Sequence, residues 1–301
     1  SMKFVFVSLF FLFGFFSLEA QGLLIPERDS LTQKENLLQP LSDQIVNASD
    51  QGERTEACNA FVPMLVSALR IKGSFSFPFD SLKTISILYP RDSSFRIFTW
   101  QLSRGRGDNV YFGAIQIRTK DGKLKLFPLL DYSGITEHFA DTITSNLKWM
   151  GALYYNMVEK TYRGKKYYTL FGFNGNGLLF VRKLLEVLTF LHGKPVFGAP
   201  VFSYASNSHP RIRHNRFILQ YKWNGDARLN YDPGMHMIIY DHLVSLSNEP
   251  WKVYTLVPDG TYEAFRWENG VWQHFSNPFG GPAKKVSVPK PLHLKQNNLG
   301  N

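Results

Sequence analysis

The sequence predicts a mainly β fold: an antiparallel meander of about a dozen strands, forming a sandwich, a barrel or a propeller-like array, with an N-terminal helix. Three observations predict it. Beyond Gly73, apolar residues recur on every second position, the period of a strand with one buried face. Turn-forming residues punctuate these runs at the spacing of an all-β domain. Aromatic residues make up 15% of the chain, with 26 Phe and 14 Tyr, a level that suits pleated sheets.

The clearest alternation lies between His214 and His242. There Phe217, Leu219, Tyr221 and Trp223 share one face, with Arg216, Gln220 and Lys222 between them. Asn224-Gly225 then predicts a two-residue type I′ hairpin turn, whose central positions both need positive φ. Ala227, Leu229 and Tyr231 continue the apolar face, and Asp232-Pro233-Gly234 turns the chain into a third strand over 235–241. The expectation is a three-stranded meander.

Residues 1–20 have the layout of a secretory signal peptide: Lys3, an apolar run from Phe4 to Phe16, then Ala20 as a small residue at the cleavage position. The run is short for a membrane span, so none is expected after cleavage. Lys3 and Glu19 would leave together, which keeps the net charge at +10. Residues 21–73 predict a helical segment. Leu31, Leu37, Leu38 and Leu41 suggest a weak helix that Pro40 interrupts, and Asp50 with Glu53 forms a capping-box-like start to a second. Cys58, Phe61, Val62, Leu65, Ala68 and Leu69 give that helix its apolar stripe, with Pro63 as a kink or restart. On this stripe Cys58 reads as a small buried residue rather than a reactive thiol.

Residues 74–276 predict the β domain. Hairpins are expected around Pro90-Arg91-Asp92-Ser93, Lys120-Asp121-Gly122, Tyr162-Arg163-Gly164-Lys165, His192-Gly193-Lys194-Pro195 and Glu268-Asn269-Gly270. A connection with some helix is expected over 132–146. Residues 277–301 are rich in Gly, Pro, Lys and Asn and predict a disordered basic tail.

Cys58 is the only cysteine, so no internal disulfide can form. An exported chain of this kind suits a bacterial periplasm or cell envelope. Histidines and acids are densest around His209, His214, His236 and His242, with Asp226, Asp232 and Asp241. His236 and His242 are six residues apart, about 20 Å along a straight strand, so they are not expected to share a metal; no cofactor is expected. Asp232, Asp241, Glu249 and Glu263 are the candidates for a catalytic carboxylate pair, although turn chemistry also accounts for Asp232 and Asp259. Neither a Gly-x-Ser-x-Gly elbow nor a Walker loop occurs. The glycine-rich run 172–177 reads as a flexible loop, and Arg106-Gly107-Asp108 as a loop tripeptide.

The basic balance and interleaved aromatics point to binding. Lys165 and Lys166 precede Tyr167-Tyr168, and Trp223, Trp251, Trp267 and Trp272 could stack on sugar faces, though core packing accounts for most of them. Export argues against nucleic acid and leaves an envelope protein or an acidic glycan as the expected partner. The Ala20-Gln21 junction and the segments 95–100, 168–173 and 257–262 resemble exported β-rich proteins of Bacteroidota, over most of residues 80–276. That resemblance implies export and one β-rich domain; it carries no activity and no catalytic residue. The sequence thus predicts an exported, non-enzymatic binding or structural protein of the bacterial cell envelope. The alternative is a secreted carbohydrate-active hydrolase.

Overall fold

The structure, a computed structural model, describes residues 23–133, 139–204 and 213–280. The predicted signal peptide, His209 and most of the predicted tail lie outside the described residues. The fold is mainly β, with two helices followed by sixteen strands among the described residues.

Helix α1 spans Ile25–Asn47 and α2 spans Gln51–Leu69. The Asp50 carboxylate accepts the Glu53 amide at 3.0 Å, the cap that the spacing predicts. Pro40 and Pro63 interrupt neither helix; each lies within one. A proline frees the carbonyl four residues back, here those of Asn36 and Asn59. Those residues and both prolines are exposed, so water can take up the lost bonds. The opposite faces bury Leu31, Leu38, Ile45, Phe61 and Leu65 against the first sheet. Cys58 lies in that core, where burial pushes its thiol pKa up and leaves it unreactive.

The first sheet runs in the order β1 (Ser86–Leu88), β2 (Phe95–Gly105), β3 (Asp108–Ile117), β4 (Leu126–Leu130). The chain then supplies β5 (Thr144–Ser145), β6 (Leu153–Tyr162), β7 (Lys165–Asn174), β8 (Phe180–Leu191), β9 (Lys194–Phe197), β10 (Phe202–Ser203), β11 (Arg213–His214) and β12 (Arg216–Lys222). The last four are β13 (Leu229–Asp232), β14 (Met237–Ser245), β15 (Leu256–Glu268) and β16 (Val271–Phe275). The second sheet has the order β5-β9-β8-β7-β6, with β12 also on β8; the third has the order β11-β10-β16-β15-β14-β13. All pairings between strands are antiparallel except β10 with β16.

The sheets stack as layers beneath the helices. Ile97, Ile115 and Leu129 of the first sheet pack on Tyr154, Leu170 and Leu184 of the second. Phe171, Leu185 and Phe217 of the second pack on Ile238, Phe265 and Trp272 of the third. The second sheet is therefore covered on both faces, which explains why β8 is buried continuously from Leu184 to Thr189.

Of the predicted central meander only the second hairpin forms, β13 with β14 through Asp232-Pro233-Gly234. Strand β12 pairs with β8, placing Phe217 opposite Leu185, whereas β13 pairs with β14 in the third sheet. Neither Asn224 nor Gly225 has positive φ, so no type I′ turn exists there and the chain crosses between sheets. Alternation specifies which face is buried, not which strand lies alongside. Phe217, Leu219 and Tyr221 enter the same core as Leu229 and Tyr240, but from the opposite wall. Strand β9 pairs with β8 only over 188–191, so the remaining edge of β8 is open to β12. The tight turns with two positive φ values occur instead at Arg163-Gly164, His192-Gly193 and Asn269-Gly270. The predicted turn at Pro258-Asp259-Gly260 is an irregularity within β15, opposite the β14 step from Asp241 to Leu243. The connection over 132–146 includes a short helical turn, Phe139–Asp141, as expected.

One ion pair sits inside this apolar stack. Arg216 Nε donates to Glu186 Oε1 at 2.5 Å, and neither side chain is exposed. The other Glu186 oxygen accepts the Tyr154 hydroxyl, and the Trp149 indole donates to that hydroxyl oxygen at 2.7 Å. Arg216 also donates to the Phe197 carbonyl and the Thr144 hydroxyl, each at 3.1 Å, and to the Thr142 carbonyl. The charges are tolerated because their hydrogen bonds are made. Glu186→Ala should therefore destabilise the protein by about 3–5 kcal/mol in urea unfolding, by stranding a buried guanidinium. The double variant Glu186→Leu/Arg216→Met should recover most of that loss.

Candidate functional site

Two hairpins from different sheets meet at one end of the stack. The β6–β7 hairpin turns at Arg163-Gly164, and the β15–β16 hairpin at Asn269-Gly270. A Cβ on Gly270 would lie 2.4 Å from the Tyr162 ring, so only glycine lets the two tips touch. Gly270 also has a φ of 83°, which favours glycine independently.

Cross-strand pairing places Lys160 opposite Tyr167 and Tyr162 opposite Lys165, so cations and rings alternate on one face. The Arg163 guanidinium lies 5.2 Å from the Tyr162 ring centre, and the Lys165 ammonium 5.2 Å from that of Tyr167. The Lys160 ammonium lies 5.3 Å from the Tyr231 ring and 5.5 Å from that of Trp272. Tyr167 and Trp267 bring their ring centres to 5.4 Å across the two sheets. Beside this surface is an open cavity of about 710 Å³, lined by Tyr162, Arg213, Glu268, Asn269, Gln273 and Phe275 among others. Flat rings with cations above them can hold a sugar face and a carboxylate or sulfate together.

Of the predicted binding residues, the structure brings Lys165 and Trp267 to this surface. Lys166 points elsewhere. Its ammonium pairs with Asp92, and with Glu159 at 2.9 Å, bracing the β1–β2 turn on the second sheet. Burial alone would raise the Asp92 pKa, but the Lys166 and Ser94 hydrogen bonds lower it to about 2. Trp272 is fully buried and donates to Thr169 Oγ1 at 3.0 Å. Trp251 is exposed in the β14–β15 connection, and Trp223 is exposed beyond the end of β12.

The predicted acids do not converge. Asp232 caps its own turn through the amides of Gly234 and Met235, at 2.8 and 2.9 Å. Asp241 is buried and accepts the Arg228 amide at 2.7 Å; burial raises its pKa. Glu249 pairs with Lys252 at 2.6 Å. Glu263 has the richest surroundings. It accepts the Tyr240 hydroxyl at 2.6 Å and lies 2.8 Å from His274 Nε2. His242 stands between Glu263, at 3.8 Å, and Asp259, at 3.0 Å. Burial would raise both carboxyls. For Glu263 the His274 and Tyr240 hydrogen bonds outweigh it, and for Asp259 those from Thr261 and His242 do, so both end below their ordinary values. A general acid needs the opposite shift.

Among the described residues, no group of three or more His, Cys, Asp or Glu is placed to hold a metal ion. His236 sits in the β13–β14 turn at a φ of 54°, away from His242 near the far end of β14. Sequence reading missed Lys160, Tyr162, Arg163, Tyr167 and Tyr231 as one surface. The signal was the alternation of basic and tyrosine residues over 160–167. It also missed the His242–Asp259–Glu263–His274 chain, whose members come from three strands. Compared with protein-family models, curated proteins and solved structures, the chain shows no match to any of them.

The Glu263 geometry sets a pH dependence. Its folded pKa lies below the ordinary 4.5, so the stability it contributes is present above that value and is lost as pH falls through the folded value. Near neutrality wild type should melt above Glu263→Gln in thermal melts, by about 2–4 °C for each kcal/mol that the ionised carboxylate contributes. The gap should close on acidification below the ordinary glutamate value.

Proposed function

We propose that the protein is an exported, non-enzymatic binding or structural protein of the bacterial cell envelope, holding an envelope protein or an acidic glycan at the paired hairpin tips. The observation that carries this reading is the collection of Tyr162, Arg163, Lys165, Tyr167 and Trp267 at one end of the stack, drawn from two sheets. A net charge of +10 favours acidic partners. Export rests on the signal-like pattern of residues 1–20 and on the single cysteine.

The acids available to a hydrolase have structural duties. Asp232 and Asp241 cap backbone amides, Glu249 is paired with a lysine, and Glu263 and Asp259 are held ionised by histidine, tyrosine and threonine. No helix among the described residues is long and apolar enough to cross a membrane.

The test is capture from envelope extract alongside a glycan array. Arg163→Glu/Lys165→Glu should weaken capture or glycan binding at least about ten-fold, since two charge reversals at a contact commonly cost more than 1.4 kcal/mol. Both residues are exposed, so the fold should survive. Turnover of a polysaccharide that vanishes in Glu263→Gln would instead establish the hydrolase.

A further inference from the structure

Two motifs that the hairpin surface leaves unused meet at the opposite end of β7. The glycine-rich run 172–177 leaves β7 there, and the Arg106-Gly107-Asp108 turn joins β2 to β3. The Gly177 amide donates to the Gly107 carbonyl at 3.0 Å, and a Cβ on Gly107 would come within 2.6 Å of the Gly177 oxygen. The Asn176 side chain accepts the Asn109 amide at 2.8 Å and donates to the Asn109 carbonyl at 3.0 Å. Asn174 accepts the Asn176 amide at 3.0 Å and donates to the Gly151 carbonyl at 2.6 Å. The Gly175 amide donates to the Tyr111 hydroxyl at 2.7 Å. The amides of Gly175, Asn176 and Gly177 are thus all committed, which leaves no cradle for a phosphate.

What this bracing presents to solvent is apolar. Leu178 and Leu179 are 62% and 56% exposed, and Trp223 beside them is 44% exposed. The Trp223 amide donates to the Leu179 carbonyl at 3.0 Å, which brings the three residues to one apex. The Arg106 guanidinium lies 4.0 Å from the Trp223 ring centre. Lys222 pairs across the ladder with Phe180, over whose ring Arg182 lies at 5.5 Å. Of the nearby acids, Asp108 is engaged by Arg104 at 2.8 Å, and Asp226 is exposed.

We infer that this apex docks on an anionic lipid surface, with Leu178 and Leu179 entering the acyl boundary. Trp223 lies at headgroup depth, and Arg106 and Lys222 meet lipid phosphates. The charge arrangement selects this occupant. An apolar tip bordered by cations, with its loop amides already bonded, complements a layer that is negative at its surface and apolar beneath. The apex is about 30 Å from the hairpin tips, the length of the ten-residue β7, so this inference stands independently of the one above.

The test uses the full chain with one added cysteine for an environment-sensitive nitrobenzoxadiazole probe, at Leu179→Cys or, as a control, at the exposed Lys120→Cys. Cys58 is 1% exposed and stays unlabelled. With vesicles of phosphatidylcholine and phosphatidylglycerol at 3:1, the probe at 179 should shift to the blue and brighten, while the probe at 120 should not. Arg106→Glu/Lys222→Glu should raise the lipid concentration needed at least five-fold, and pure phosphatidylcholine should act as weakly. The inference fails if the probe at 179 stays in water while the protein pellets with vesicles, because another segment then binds. It fails equally if no vesicle changes the probe, or if only an added envelope protein does.

Discussion

The middle of the second sheet is covered on both faces, and most of the architecture follows from that constraint. Along the covered middle of β7 and β8 each side chain must satisfy a neighbouring layer, so Leu170 and Leu184 face one core while Phe171 and Leu185 face the other. In such a place an unpaired charge is prohibitively costly, and Glu186 and Arg216 are admitted only as a pair with Tyr154, Trp149, Thr144 and the Phe197 carbonyl around them. The pair joins β8 to β12 and, through Arg216, to the segment around β5. Burial of this kind places the second sheet's own variety at its ends, where the cores run out and polar side chains can reach solvent.

Both surfaces described above lie at those ends. At one, Gly270 yields room for Tyr162 and lets hairpins of two sheets present rings and cations together. At the other, Gly107 and Asn176 clamp two loops so that leucines and a tryptophan stand clear of the body. Each surface is assembled from segments that are distant in the chain, and each depends on a glycine that a neighbouring group overlies.

What was legible in the sequence was local. Asp50 three residues before Glu53 caps a helix whatever packs against it, and Arg163-Gly164 and Asn269-Gly270 turn tightly because their glycines and flanking strands demand it. The alternation at Phe217, Leu219 and Tyr221 correctly marked a buried face, but sheet membership depended on how far β9 covers β8, which no property of 217–221 encodes. Pro40 and Pro63 looked like breaks because the pattern does not say that their freed carbonyls point to water. Among the site residues, Lys165 and Lys166 are neighbours with identical local chemistry. The strand pleat sends one to a ring and the other to Asp92 and Glu159, and a sequence without partners cannot separate them.

The excursion of β12 has a mechanical meaning. The chain leaves the third sheet after β11, crosses to lie along β8, and returns to the third sheet as β13. The two layers are therefore sewn together by one thread and cannot swing apart like the covers of a book. A force sliding one layer past the other along the strands would load β12 against β8 in shear, with its seven residue pairs sharing the strain at once rather than peeling one by one. That is the geometry that resists sliding of the two layers.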